Sequence, residues 1–159
     1  AGANYYSTEY KMELNREKIF IADKYDINLR RANLEDSLVR ASIIKQCFDF
    51  DMSKEAFVEE LNDKDQYGYV CEIEAKVIGN ISASRINGNI NIYGIGIFED
   101  YRANGFGRQM LSLFLKKLGK EKAEKIYLEV ESRNSNALNL YKSCGFSEIT
   151  AYDYYEIVF

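Results

Sequence analysis

The chain has 159 residues, with 21 Lys or Arg against 25 Asp or Glu, a net charge of −4, 47% hydrophobic residues and no His. That length and apolar content describe one domain that can bury a sizeable core, and the acidic balance argues against a general nucleic-acid or membrane-surface role. No apolar run is long enough to span a bilayer and no signal peptide is legible; three scattered cysteines (Cys47, Cys71, Cys144) without any His argue against a metal site or a disulfide framework, so the expected compartment is the reducing cytoplasm.

Ala1-Gly2-Ala3 reads as a scar of expression. Tyr5 to Leu14 is a strand-like tail that echoes the chain's own end, Ala151 to Phe159. Two explanations stay open: the closing strand of a preceding copy of the same domain, or two unrelated aromatic strands. On the first, residues 1–24 stand apart from a domain at 25–159. Lys18 to Ala22 is a short apolar run, read as an extra edge strand. Asp26 to Ala32 alternates apolar and polar residues, the period of a half-buried strand. Asn33 caps a helix that carries Leu38, Val39, Ile43 and Cys47; Asp51-Met52-Ser53 breaks it, and Ser53 caps a second helix with Ala56, Phe57, Val58 and Leu61.

Tyr67 to Glu74 is a strand, Glu74-Ala75-Lys76 a turn, and Val77 to Ile86 the returning strand. Asn87-Gly88 is a hairpin signal, because a type I′ turn needs positive φ at both central residues. The strand it opens ends at Phe98 and contains Gly94 and Gly96, which mark a bulge or a close approach to the backbone. A helix with one apolar face follows (Met110, Leu111, Phe114, Leu115, Leu118), then a strand at Lys125 to Glu131, a helix, and two final strands. A meander followed by strand–helix–strand–helix predicts an α+β fold with a mixed, mostly antiparallel sheet flanked by helices.

Between the central strand and its helix lies Arg102-x-x-Gly105-x-Gly107. A glycine turn feeding a helix start is an anion site, since the first N–H groups of the helix lack internal partners and the dipole favours negative charge there. Arg102 and Arg108 add positive charge. The spacing fits neither a P-loop nor Gly-x-Gly-x-x-Gly. On the residues alone, an ordinary strand–turn–helix with a solvated Arg stays open.

The Arg-x-x-Gly-x-Gly loop resembles the acetyl-CoA pyrophosphate loop of the GNAT acetyltransferase superfamily. A second block, Asn134-Ser135-Asn136-Ala137 through Leu140-Tyr141 to Gly145-Phe146, is similar to the family's other signature and follows at a suitable separation. The resemblance covers roughly residues 27–159. It implies the GNAT acyl-CoA acyltransferase fold, acetyl-CoA as co-substrate, no metal, and direct acetyl transfer to an amine. It places the pyrophosphate on Arg102, Ala103, Asn104, Gly105, Phe106, Gly107 and Arg108. It places the pantetheine arm along Ile95 and Ile97, in a wedge where the central strand parts from the next parallel one, with Asn134 also touching it. Tyr141 is the expected general acid for the departing thiolate. Glu99 and Glu72 are candidate bases, each acting directly or through water. The acceptor is open among peptide N termini, lysines, polyamines, aminoglycosides and amino acids. Partners beyond these are a preceding GNAT domain or a second copy. Other readings are a non-catalytic acyl-CoA-binding or regulatory domain of a tandem protein, and an interaction module that uses the tyrosine-rich ends.

Overall fold

In the computed structural model, which describes residues 2–159, Asn87 and Gly88 take φ of 50° and 81°, the left-handed pair that a type I′ turn requires. The turn joins β4 (Lys76–Ile86) to β5 (Asn89–Ile97), and a second tight turn at Glu74 and Ala75 joins β3 (Gln66–Ile73) to β4. With β2 (Asn28–Arg31) on its outer edge this forms the expected antiparallel meander. β5 then pairs in parallel with β6 (Ile126–Glu131). The sheet is completed by β1 (Gly2–Leu14) and β7 (Phe146–Val158), in the order β2-β3-β4-β5-β6-β1-β7. The helices are α1 (Ser37–Phe48), α2 (Lys54–Asn62), α3 (Phe106–Leu118) and α4 (Ser135–Ser143).

Alternation along β4 places helices on both faces of the sheet. Asn80 and Ser82 meet α1, whereas a Cβ at Gly79 would touch Met110 of α3. On the α3 face, Met110, Leu111, Phe114, Leu115 and Leu118 are all buried, against Ile81, Ile92, Ile126 and Leu128 among others. Each such side chain contributes roughly 1.5–3 kcal/mol through removal from water.

Two expected strand assignments fail in this part of the chain. The chain's end supplies one final strand, β7, and not two; its partner is β1, which runs antiparallel to it from Gly2↔Val158 to Leu14↔Phe146 and also pairs with β6. The two tyrosine-rich segments thus pair with each other inside the sheet, and Met12 of β1 is fully buried. Residues 2–14 belong to the same sheet as the rest of the chain, so the expected boundary at 24/25 does not separate them; Ala1 lies outside the described residues. Lys18 to Ala22 forms no strand: a short 3-10 turn (Arg16–Lys18) leads into irregular chain. Its backbone is satisfied by a side chain, since Ser112 Oγ donates to the Phe20 carbonyl at 2.6 Å, and the Phe20 ring lies 3.7 Å under the Arg108 guanidinium.

The other face of the sheet is organised by a buried ion pair. Arg40 of α1, 1% exposed, donates from Nη2 to both carboxylate oxygens of Glu60 in α2, each at 3.0 Å, and to Ser82 Oγ at 3.2 Å. Its Nε donates to Asn80 Oδ1 at 2.7 Å, and its guanidinium lies 4.6 Å from the Phe57 ring centroid. A Cβ at Gly68 on β3 would collide with the Glu60 carboxylate, so glycine is what leaves room for the pair. Removing one partner of such a pair strands a buried charge, which costs about 3–5 kcal/mol. Glu60→Ala is expected to lose about that much in urea unfolding, and the double change Arg40→Met with Glu60→Leu to recover much of it.

Candidate active site

β5 carries one residue more than β4 across its middle. Ser82 pairs with Tyr93, but Asn80, two residues before Ser82, pairs with Gly96, three residues after Tyr93. The extra residue is taken up in a bulge at Gly94, whose φ of 63° is the left-handed conformation glycine adopts without strain. The Gly94 carbonyl accepts from Asn80 Nδ2 at 2.8 Å. Gly96 has a different reason: a Cβ there would stand 2.8 Å from Cys47 Sγ and 3.2 Å from Ile43, so glycine lets α1 close on the strand.

On its other edge β5 pairs with β6 only from Ile90↔Ile126 to Ile92↔Leu128. Beyond the bulge the strands part, and a cavity of ≈ 280 Å³ lies in the fork, bounded by Tyr93, Gly94, Ile95, Leu128, Glu129 and Tyr141. It adjoins a larger cavity of ≈ 670 Å³ through Phe48, Ile95 and Tyr141, which line both.

The larger cavity collects both sequence blocks. Ile95, Ile97, Arg102, Ala103, Gly105, Phe106, Gly107, Arg108, Asn134 and Tyr141 all line it. Asn104 does not; its amide donates to the Tyr101 and Arg102 carbonyls at 3.2 and 3.0 Å and folds the loop on itself. Ala103 and Gly105 both have positive φ (62° and 79°). Gly105 is the N-cap of α3 and supplies no side chain to its first N–H groups, which leaves them for an anion. A Cβ at Gly105 would meet nothing within 4 Å, so the requirement for glycine there is conformational. Arg102 is tied back, with Nε donating to the Ile97 carbonyl at 2.9 Å and Nη2 lying 3.3 Å from Cys47 Sγ. Arg108 Nε is buried without a partner among the described residues.

Asn134 caps α4, its side chain accepting from the Ala137 N–H at 3.2 Å. Tyr141, one helical turn from Ala137, is 8% exposed. Burial, with a smaller contribution from the nearby Cys144 thiol, pushes its pKa from 10.0 up to about 12. The hydroxyl therefore holds its proton throughout the neutral range.

The two candidate bases are not brought to these cavities. Glu72 on β3 pairs with Arg30 Nε at 3.1 Å and accepts from Asn28 Nδ2 at 3.2 Å. Glu99 is exposed, and its N–H donates to Gln46 Oε1 at 2.7 Å. Cys47, Phe48, Tyr101, Asn136 and Leu140 line the large cavity without having been singled out in the sequence. Gly96 was the one available signal for Cys47.

A third cavity, ≈ 500 Å³, lies between α1, α2, β4 and β5, over Arg40, Asn80 and Ser82. It shares Phe48, Tyr93 and Gly94 with the fork, so the bulge stands between two spaces. Among the described residues there is no group of three or more His, Cys, Asp or Glu placed to hold a metal ion, and no helix is long and apolar enough to cross a membrane.

The sequence of an N-alpha-acetyltransferase from Sulfurisphaera tokodaii is 32% identical over 112 residues, 62% of this chain and 67% of that one. The crystal structure of the ribosomal-protein-S18-alanine N-acetyltransferase from Escherichia coli superposes with a TM-score of 0.69 at 22% identity, over 78% of this chain and 79% of that one. A GCN5-related N-acetyltransferase from Sphaerobacter thermophilus superposes with a TM-score of 0.78 at 15% identity, over 97% of this chain but 52% of its own length. Both superpositions show that these structures share the α+β fold of this chain. The acetyltransferase (GNAT) family profile matches residues 35–146, which include the loop before α3 and the whole of α4, and the chain belongs to that family.

Proposed function

We propose that acetyl-CoA binds in the fork between β5 and β6, and that its acetyl group passes directly to the α-amine of a polypeptide. One observation carries this reading: two blocks about 30 residues apart in the chain, the Arg102–Arg108 loop and the Asn134–Tyr141 turn and helix, line a single cavity that opens into the fork. The family uses acetyl-CoA as a co-substrate, and the relatives' names, N-alpha-acetyltransferase and alanine N-acetyltransferase, support an α-amine as acceptor.

In this reading the pyrophosphate sits on the N-terminus of α3, where the N–H groups after Gly105 donate to it and the helix dipole favours its charge. The pantetheine amides pair with the backbone of Ile95 to Ile97 that β6 leaves free. A backbone N–H at the bulge polarises the thioester carbonyl, a contribution of about 3 kcal/mol for one such donor. The neutral amine attacks that carbonyl, a C–N bond forms, and the C–S bond of the tetrahedral intermediate breaks. Tyr141 gives its proton to the departing sulfur, the nitrogen of the new amide sheds one proton to water, and Tyr141 regains one from water. The acceptor reaches the bulge from the third cavity, and the proton it must shed before attack passes to a carboxylate lining that cavity, Glu59 or Asp63, or to water. Glu99 and Glu72 would act only through water. We infer a cytoplasmic setting, where acetyl-CoA is available and Cys47, Cys71 and Cys144, all free thiols, stay reduced. A preceding domain or a second copy remains part of the proposal for the outer ends of β1 and β7, where Tyr5, Tyr155 and Ile157 are exposed.

Calorimetric titration with acetyl-CoA tests the phosphate site. Gly105→Glu places a carboxylate at the N-cap and strains a φ of 79°, so its affinity is expected to fall at least about tenfold, or ~1.4 kcal/mol. Tyr141→Phe is expected to lower kcat by about 10²–10⁴ with acetyl-CoA affinity almost unchanged; unaltered turnover would refute the role of acid. The folded pKa of Tyr141 lies above its unfolded value, so the stability it contributes is complete below pH 10.0 and is lost as pH rises towards about 12. The difference in tyrosinate absorbance between wild type and Tyr141→Phe is therefore expected to appear only above pH 10.0.

A further inference from the structure

The cavity beneath α1 and α2 has three chemical features that bear on which acceptor it takes. Its wall is apolar, formed by Ile44, Phe48, Phe50, Met52 and Phe57. Phe48 and Phe50, two residues apart at the end of α1, are 51% and 56% exposed, a concentration of uncovered aromatic surface at the mouth of a cavity. The second feature is charge. Among the lining residues Glu59, Glu60 and Asp63 are acidic and Arg40 is basic. Glu60 and Arg40 neutralise each other at 3.0 Å, which leaves Glu59 and Asp63 to attract an ammonium and oppose a carboxylate. The third is an orphan donor. Arg40 Nη1 is buried and has no partner among the described residues, while Nε and Nη2 are fully engaged. A buried N–H without an acceptor carries a desolvation penalty that a ligand oxygen would relieve. With the surrounding charge negative, that oxygen is a neutral carbonyl.

An ammonium, a neutral carbonyl and a bulky apolar group on one small molecule describe the first residue of a polypeptide. We propose that this cavity selects acceptors whose N-terminal side chain is large and apolar, as in Leu, Met or Phe, with Arg40 Nη1 donating to a backbone carbonyl of the acceptor. The inference rests on the reading above, in which the fork holds acetyl-CoA and the acceptor is an α-amine. A volume of ≈ 500 Å³ suits such a residue with its backbone, while an alanine leaves most of the apolar wall uncovered. Because Phe48, Tyr93 and Gly94 are common to this cavity and the fork, the amine of a residue seated here lies within reach of the thioester.

The test uses the whole chain with acetyl-CoA and hexapeptides identical except for the first residue, with free thiol and peptide mass as readouts. Peptides that begin with Leu, Met or Phe are expected to exceed the Ala peptide in kcat/KM by at least about tenfold, since each added methylene in an apolar pocket is worth up to that much or more. Leucinamide, which keeps the neutral carbonyl, is expected to be acetylated faster than free leucine, which adds a carboxylate, and faster than 3-methylbutylamine, which lacks the oxygen. Phe50→Ala is expected to narrow the preference for Leu over Ala while leaving acetyl-CoA affinity unchanged. An Ala peptide equal to the Leu peptide, or a polyamine preferred to every peptide, overturns the proposal. So do free leucine or 3-methylbutylamine equal to leucinamide. Acetyl-CoA titrated alongside separates the two readings. Binding without transfer to any peptide overturns the acceptor class and leaves the cofactor site standing. Absence of binding overturns both.

Discussion

The amide of Asn80 holds the Gly94 carbonyl at 2.8 Å, and the irregular course of β5 rests on that bond. It fixes a strand that has one residue too many for its neighbour. The bulge follows directly on Ile92, where the ladder of β5 with β6 ends and the fork between them begins. Asn80 can hold the carbonyl in only one orientation, because its Oδ1 already accepts from Arg40 Nε at 2.7 Å. Turning the amide over would place its NH₂ against a guanidinium. The ion pair between Arg40 and Glu60, which joins α1 to α2, therefore also sets the direction of the group that pins the bulge. A polar network inside a core is strongly unfavourable when half satisfied and highly specifying when complete. Here it specifies the one irregularity that the site requires.

What was legible in the sequence was local. Gly105 before an amphipathic helix, Asn134 before another, and Asn87-Gly88 between two strands each state their conformation within three or four residues, because caps and tight turns are decided by φ and by short side-chain bonds. Repetition of such signals in family order was enough to identify the family, whose profile spans both blocks. The role of Gly96 was only half legible. A glycine in a strand announces that something comes close, but that the something is Cys47 of α1 follows from a contact 49 residues away in the chain. Arg40 carried no signal at all. An arginine in the middle of a helix reads as a solvated residue, and only the partners Glu60, Asn80 and Ser82, drawn from α2 and β4, make it a buried one.

The misreading of the chain ends has the same origin. Alternation and aromatic content state that a segment is a strand, and both tyrosine-rich segments are strands. Neither property states the partner. β1 lies between β6 and β7, so the first strand of the chain supplies the place that two consecutive C-terminal strands were expected to fill. Glu72 illustrates the limit for side chains. On β3 it was a carboxylate in a plausible part of the meander, yet β2 brings Arg30 and Asn28 to it and turns it into a member of an edge network.

The two spaces on either side of the bulge differ in chemistry because they are built from different parts of the polypeptide. The fork side is mostly backbone: a free strand edge, the open first turn of α3, and a loop held by Asn104 to its own carbonyls. Backbone donors are pre-aimed and cannot be altered by substitution, which suits a ligand that does not change. The side beneath α1 and α2 is mostly side chain, with Phe48, Phe50 and Met52 gathered where α1 ends and the chain crosses to α2. Side chains on such a connection can be exchanged without disturbing the sheet, so this is where a member of the family can acquire its own acceptor. Arg40 is the exception, a side chain that serves both sides. It supports the bulge through Asn80 and keeps its Nη1 unpaired, among the described residues, beside the cavity under α1 and α2. On the proposal above, an acceptor carbonyl paired with Nη1 would tighten the same guanidinium that orients Asn80, and filling of one space would be tied to the geometry of the other.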